Sequence, residues 1–184
     1  MNALSLDIPV IETDRLVLRA PDAADFESEA EFYASDAARF VGGPKRPDET
    51  WRALAGMIGH WVMRGYGFWA VDDRETGAYL GHVGLWNPHG WPEPEIGWAL
   101  MTHATGRGYA TEAAFAARTH AYDVLGWPTA ISLIDPANAA SQAVARRLGA
   151  AFEDMFVHPQ FGSMEIWRHP APAELSDGGM EAYA

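Results

Sequence analysis

The sequence predicts a mixed α and β (α+β) domain built around one central sheet. Three observations carry that prediction. Segments of period two and of period 3.6 follow one another as β-α-α-β-β-β-α-β-α-β-β, which is not the regular alternation of a doubly wound parallel sheet. No repeat and no linker divides the 184 residues, so one domain is expected over residues 1–170, followed by a loose Pro-, Gly- and acid-rich tail over 171–184. An apolar fraction of 48% is enough for a single sizeable core, and most of the eight tryptophans are expected in it.

Residues 15–19 (RLVLR) alternate as a strand that Pro21 ends. Asp22 opens a helical pattern with Phe26, Ala30 and Tyr33 near helical spacing. Gly42-Gly43-Pro44 breaks it. Asp48 is expected to cap a second helix, in which Trp51, Leu54, Ala55, Ile58, Trp61 and Val62 make one apolar stripe and Gly65 is the stop. Residues 67–72 and 78–85 read as strands joined by the hairpin turn DRETG. A Trp-, Pro- and Gly-rich loop over 86–94 leads to a third strand at 95–101 (EIGWALM). After the loop HATGRG, residues 109–125 form an alanine-rich segment of high helix propensity that Gly126 stops. A strand at 129–134, a turn at 135–138, a short helix at 139–148 and two final strands at 152–157 and 164–169 complete the order.

Composition excludes several kinds of chemistry. With 25 acidic and 13 basic residues the net charge is −12, which argues against binding nucleic acid and suits a cationic acceptor such as an amine. Disulfides, zinc–thiolate sites, iron–sulfur clusters and cysteine nucleophiles are ruled out by the absence of cysteine. Seven histidines show no metal-binding spacing, so no metal is expected, and no G-x-S-x-G elbow marks a serine hydrolase. Residues 1–10 lack a basic stretch followed by an apolar one, and no apolar run approaches the ~20 residues of a membrane span. A cytoplasmic protein with no membrane partner is expected, as a monomer or homodimer.

The most informative stretch is strand EIGWALM, loop HATGRG and the helix after it. A helix start leaves up to four N–H groups without intrahelical partners, and with the aligned peptide dipoles they make an anion site. Gly106 and Gly108 let backbone approach a ligand closely. The free donors would come from Arg107, Gly108, Tyr109, Ala110 and Thr111, enough to wrap a diphosphate. The loop lacks the GK[ST] ending of a Walker loop and the third glycine of a dinucleotide fingerprint.

The stretch EIGWALMTHATGRGYATEA closely resembles the acetyl-CoA motif of the GNAT superfamily, Gln/Arg-x-x-Gly-x-Gly/Ala at a strand-to-helix junction. Here it reads His103-Ala104-Thr105-Gly106-Arg107-Gly108, with His103 replacing the usual first residue. Asp135-x-x-Asn138-x-x-Ser141, running on to Arg147-Leu148-Gly149, resembles the Asn-x-x-Ser segment of the ribosomal-protein N-acetyltransferase-like branch. The opening ETDRLVLRAP resembles that branch's first strand, and the likeness spans roughly residues 10–168.

This resemblance implies a GNAT fold: a mostly antiparallel twisted sheet of about seven strands split in a V, with about four helices. It implies acetyl-CoA as cosubstrate and transfer of the acetyl group to a primary amine, a protein N-terminus or a small molecule, by direct attack in a ternary complex. Backbone groups of Ala99, Leu100 and Met101 would meet the pantetheine arm, with a bulge expected at Gly97, and Asn138 would contact that arm. Ser141 would protonate the leaving thiolate. Glu95, on the same strand face as Gly97, Ala99 and Met101, is the leading candidate for the base that the protonated amine requires. Glu93 is its substitute, whereas Glu112 suits a structural place in the first helical turn. Arg146 and Arg147 are candidates for the coenzyme's 3′-phosphate or for a solvated helix face. The acceptor pocket is expected from residues 22–64 and the loop 86–94, walled by Trp51, Trp61, Trp86 and Trp91. The alternative is a non-catalytic acyl-CoA sensor; a nucleotide-binding protein is a further rival.

Overall fold

The computed structural model describes residues 6–176. Along the chain run β1 (Ile11–Glu12), β2 (Leu16–Arg19), α1 (Phe26–Ala34), α2 (Pro47–Arg64), β3 (Phe68–Asp73), β4 (Tyr79–Trp86), β5 (Glu95–Leu100), α3 (Tyr109–Asp123), β6 (Ile131–Ile134), α4 (Ala139–Arg147), β7 (Ala151–His158), β8 (Gly162–Arg168) and α5 (Pro172–Ser176). The eight strands form one sheet in the order β1-β2-β3-β4-β5-β6-β8-β7. All pairs are antiparallel except β5 with β6. That parallel pair is joined at one register position, Glu95 opposite Ile131, so the two strands part beyond it. The V-shaped split expected of the sheet is therefore present between β5 and β6.

Every longer element falls within a few residues of its expected position. Two short ones, β1 and α5, left no periodicity to read. α5 brings the expected loose tail to order as far as Ser176, with Leu175 packed on the core; residues 177–184 of that tail lie outside the described residues. The start of α2 differs from expectation. Arg46 is the cap residue and Pro47 the first helical position, because proline's fixed φ and missing N–H suit that place. Asp48 instead sits inside the first turn, paired with Arg46 and Arg52. Gly65 ends the helix at φ 76°, as read from the sequence.

Directly opposed residues on paired strands share a face. Leu18 faces Val71, and Val71, Val83, Leu85 and Ile96 belong to the core cluster beneath α3. The helix meets them with Ala113, Ala114, Ala117 and Ala121, all fully buried. Small side chains let its axis come close, and no space remains for larger ones. Ala117→Leu is expected to lower stability by about 1–3 kcal/mol through overpacking, read as a lower urea midpoint at unchanged slope. The other face carries the pairs Glu95–Trp86, Gly97–Gly84 and Ala99–His82, and Gly84 also faces Phe68. The two glycines let β3 pack closely here: a Cβ at Gly84 would stand 2.4 Å from the Gly67 carbonyl oxygen, and one at Gly97 3.0 Å from the Phe68 ring. Gly97 and Phe68 border a cavity that opens on this face.

Candidate functional site

The start of α3 is shaped as an anion cradle. Gly106 and Gly108 hold φ of 74° and 81°, a region that favours glycine, and no side chain caps the helix. Glu112, in the first turn, faces elsewhere. It accepts hydrogen bonds from the Thr13 hydroxyl at 2.6 Å, the Arg15 N–H at 3.0 Å and Arg15 Nε at 2.7 Å. Burial raises its pKa, but these partners outweigh burial and hold the carboxyl below its usual value. Arg15 in turn donates to the Arg107 carbonyl at 3.0 Å, which fastens the loop from behind. Glu112 thus takes the structural place expected of it, and the first-turn amides remain available to a ligand.

A cleft of about 820 Å³ lies before those amides. Its described lining includes Thr105, Gly106, Gly108, Tyr109, Ala110 and Thr111, two arginines (Arg39 and Arg147) and no carboxylate. A protein of net charge −12 therefore presents a locally positive cleft, the condition for holding a polyanion. The Thr111 hydroxyl is buried there without a hydrogen-bond partner. A buried hydroxyl left unpaired costs free energy that a phosphate oxygen would recover. Tyr109 anchors the helix start: its buried ring meets the Arg15 and Arg107 guanidinium groups at 4.8 and 4.9 Å, and its hydroxyl donates to Asp73. The two arginines of α4 divide. Arg147 lines the cleft, whereas Arg146 lies over the Trp167 ring.

The split sheet frees one edge of β5. Met101 donates its N–H to the Leu80 carbonyl of β4. Strand alternation then aims the N–H and C=O groups of Trp98 and Leu100 into the gap. Of the three residues expected to offer backbone there, Leu100 does; Met101 is committed to β4, and Ala99 contributes its side-chain face. Gly97 is not a bulge, since its register with Gly84 is continuous. Its missing Cβ makes room for the Phe68 ring, which would stand 3.0 Å from one.

Beside the cleft lies a cavity of about 340 Å³. The two share Phe40, Val41, Trp98, Ala99, Asn138 and Ser141 on their common boundary. Glu95 is in the cavity wall. Its carboxylate accepts from the Trp91 indole N–H and from the Leu133 N–H at 3.1 Å. Burial pushes its pKa up to about 7, against the lowering effect of those two bonds. Glu93 is not equivalent: both its oxygens pair with Arg168 at 2.6 Å, which holds its carboxyl below the usual value.

Trp86 and Trp91 line the cavity. Trp61 does not. It is 2% exposed, donates to the Phe68 carbonyl and packs edge-on against Trp69 in the core. Trp51 is outside as well, half exposed against Phe26. Both lie on the apolar side of α2, and periodicity does not say which turn of a stripe meets the core and which borders a cavity.

At the shared boundary Ser141 Oγ accepts from Trp98 Nε1 at 3.2 Å and from Asn138 Nδ2 at 2.9 Å. Two donors occupy its lone pairs, so its own proton is left to donate. The Asn138 side chain is engaged twice: its carbonyl oxygen caps α4 by accepting from Ser141 N–H, and its amide holds the Ser141 hydroxyl.

Sequence reading missed a buried group at the other end of the cavity. Glu29 of α1, 1% exposed, accepts from Tyr79 OH and faces His82 Nδ1 at 2.7 Å. Burial raises the Glu29 pKa, but the charge and hydrogen bond of His82 and the Tyr79 bond outweigh it and hold the group ionised. His82, Tyr33 and Lys45 all line the cavity. Glu29 and His82 are 53 positions apart, and nothing local in either segment announces the pair.

No group of three or more potential metal ligands occurs among the described residues, and no helix there is long and apolar enough to cross a membrane. A family model described as an acetyltransferase (GNAT) domain matches residues 15–151. The chain is similar to the crystal structure of an acetyltransferase from Agrobacterium tumefaciens str. C58, with TM-score 0.83 and 35% identity over 92% of this chain and 99% of that one. It shares its fold with RimL, a ribosomal L7/L12 alpha-N-protein acetyltransferase solved in complex with coenzyme A; the TM-score is 0.73 at 19% identity, over 90% of this chain and 99% of that one. It is also 34% identical over 90 residues to the uncharacterized protein YkkB of Bacillus subtilis (strain 168), a match covering 47% of this chain and 52% of that protein, or about half the relative's length.

Proposed function

The chain belongs to the acetyltransferase (GNAT) family, and from that premise we propose that it transfers an acetyl group from acetyl-CoA to a small primary amine, with both substrates bound at once. The observation that carries this reading is the meeting of two spaces at Trp98, Ala99, Asn138 and Ser141. One space ends in uncapped amides, and the other holds a carboxyl group poised near neutrality. An aromatic-walled cavity of about 340 Å³ favours a small amine over a polypeptide N-terminus, which needs an open groove.

The residues present fit the coenzyme. The first-turn amides of α3, the unpaired Thr111 hydroxyl and the Arg39 and Arg147 side chains would hold its anionic end, and the free edge of β5 would carry the amide-bearing arm as an added strand. Acetyl-CoA supplies the activated acyl group as a thioester. The amine arrives mostly protonated, since an ordinary alkylamine has a pKa of about 10.4. Glu95, ionised above about pH 7, takes a proton from it, directly or through water, so that nitrogen can attack. Ser141, with its lone pairs held by Trp98 and Asn138, gives its proton toward the departing sulfur. No covalent enzyme intermediate is required, in keeping with a chain that has no cysteine.

The test is release of free thiol from acetyl-CoA by the purified protein across a panel of amines. Amine-dependent release supports the proposal. Tight coenzyme binding with no release across the panel would make the protein an acyl-CoA sensor. Within this reading, Ser141→Ala is expected to lower kcat by no more than about tenfold, because a thiolate is already a competent leaving group. Trp98→Phe, which removes one of the two donors that orient Ser141, is expected to cost less than Ser141→Ala, and the double variant no more than Ser141→Ala alone.

A further inference from the structure

We infer that the acceptor cavity selects small amines that bear a carboxylate on a flat apolar body, with Lys45 receiving the carboxylate; the inference rests on the acetyl-transfer reading above. Lys45 is the only lysine or arginine among the described residues of the cavity wall. It sits between α1 and α2, and its backbone N–H is fixed to the Tyr33 carbonyl at 2.7 Å. The close partners of its ammonium are neutral: the Val41 carbonyl at 3.4 Å and the Tyr33 ring at 3.8 Å. Gly42 keeps the space beside it open, since a Cβ there would stand 3.1 Å from Lys45 Nζ and 3.0 Å from the Phe161 ring.

A half-buried ammonium held by a carbonyl and a ring retains unmet donor capacity. Burial lowers its pKa, and only the more distant charges of Glu29 and Glu49 act against that. A carboxylate brought to it gains a charge-assisted bond in a partly desolvated place. A second cation on the acceptor is repelled there, which disfavours polyamines. The acidic groups of the wall, Glu95 and Asp135, lie on the sheet side, at β5 and just beyond β6. On the wall itself the carboxylates thus lie on the sheet side, while the ionised Glu29 stands outside the wall behind His82, so an amine is drawn toward Glu95 and a carboxylate toward the Lys45 ammonium. The rings of Tyr33, Phe68, Trp86, Trp91 and Phe161 between them suit a flat apolar body.

The experiment pairs acids with their methyl esters: phenylalanine, tryptophan and 3-aminobenzoate, each with its ester, in the thiol-release assay and in equilibrium binding followed by tryptophan fluorescence. For at least one pair kcat/KM and affinity are expected to favour the acid by about tenfold or more. Lys45→Met brings that ratio toward one, Lys45→Arg retains part of it, and coenzyme affinity is unchanged in both. Equal or better use of the esters by the wild type, or an acid preference that survives Lys45→Met, overturns the assignment and leaves the acetyltransferase intact. Thiol release with other amines but with none of these acids overturns it too. If no amine of any kind releases thiol, the acetyl-transfer reading fails, and this inference with it.

Discussion

Replacing Gly108 with valine is expected to abolish coenzyme A binding, weakening it by at least about 100-fold, or about 3 kcal/mol. Gly108 holds φ of 81° as the cap residue of α3, a conformation that a β-branched residue all but excludes. A Cβ there would make only an ordinary contact, 3.4 Å from an Arg15 guanidinium nitrogen, so the cost lies in the backbone. That group is tied to Glu112 and to the Arg107 carbonyl, so the loop has little freedom to yield. The loop must leave its present path, and the first-turn amides turn with it. Each hydrogen bond to a charged group contributes about 1.5–3 kcal/mol, so losing two of them gives the stated loss. Titration calorimetry with coenzyme A reads the effect. Gly77→Val is the control: Gly77 has φ of 71° in the β3–β4 turn, with no atom near its would-be Cβ, so it carries the same backbone cost away from the cleft. Equal affinity in Gly108→Val and wild type would remove the cradle as the coenzyme site.

Glu95→Gln is expected to lower kcat by about 10²–10³-fold while coenzyme affinity stays within about twofold. The sign of the pH dependence follows from the raised pKa. Only the ionised carboxylate accepts a proton, so wild-type kcat rises as pH passes up through about 7 and then levels off. The amide has no such transition, and the variant's profile loses that limb. Glutamine keeps the volume but offers one oxygen to two donors, the Trp91 indole and the Leu133 N–H. Glu95→Asp, which keeps the charge on a shorter side chain, separates a lost base from a disturbed wall: it retains the pH limb at a reduced plateau. A full rate in Glu95→Gln, or an unchanged limb, would move the base elsewhere in the cavity, and His82 beside Glu29 would be the next group to replace.

Much of the site was legible in local sequence because it is built from local features. Two glycines before a helix suggest an anion cradle, though alone they equally mark a tight turn, and the surrounding motif is what points to a coenzyme. Alternation put Glu95 on the face of Gly97 and Ala99, because a strand fixes which residues share a face, and the family resemblance made that face the one to search for a base. Met101 and Gly97 show where that reasoning stops. Alternation says which face a side chain takes, but only the pairing with β4 says which backbone groups remain for a ligand. Trp61 fails for a related reason: tryptophan at helical spacing is equally suited to a core and to a cavity wall, and its packing on Trp69 decides.

By itself the sequence determined the order of elements, the glycine-bearing start of α3, the strand that carries Glu95 and the helix that carries Ser141, and the absence of cysteine chemistry. Each depends on residues close together in the chain, where periodicity and backbone preference operate. Only the tertiary structure decided that Ser141 is held by Trp98, that Glu29 backs His82, that the cleft is free of carboxylates in an acidic protein, and that Lys45 faces the cavity without one. These are contacts between distant segments. They are set by how the helices settle on a split sheet, and desolvation, which raises Glu95 and leaves Lys45 without water on one side, exists only once that packing has formed.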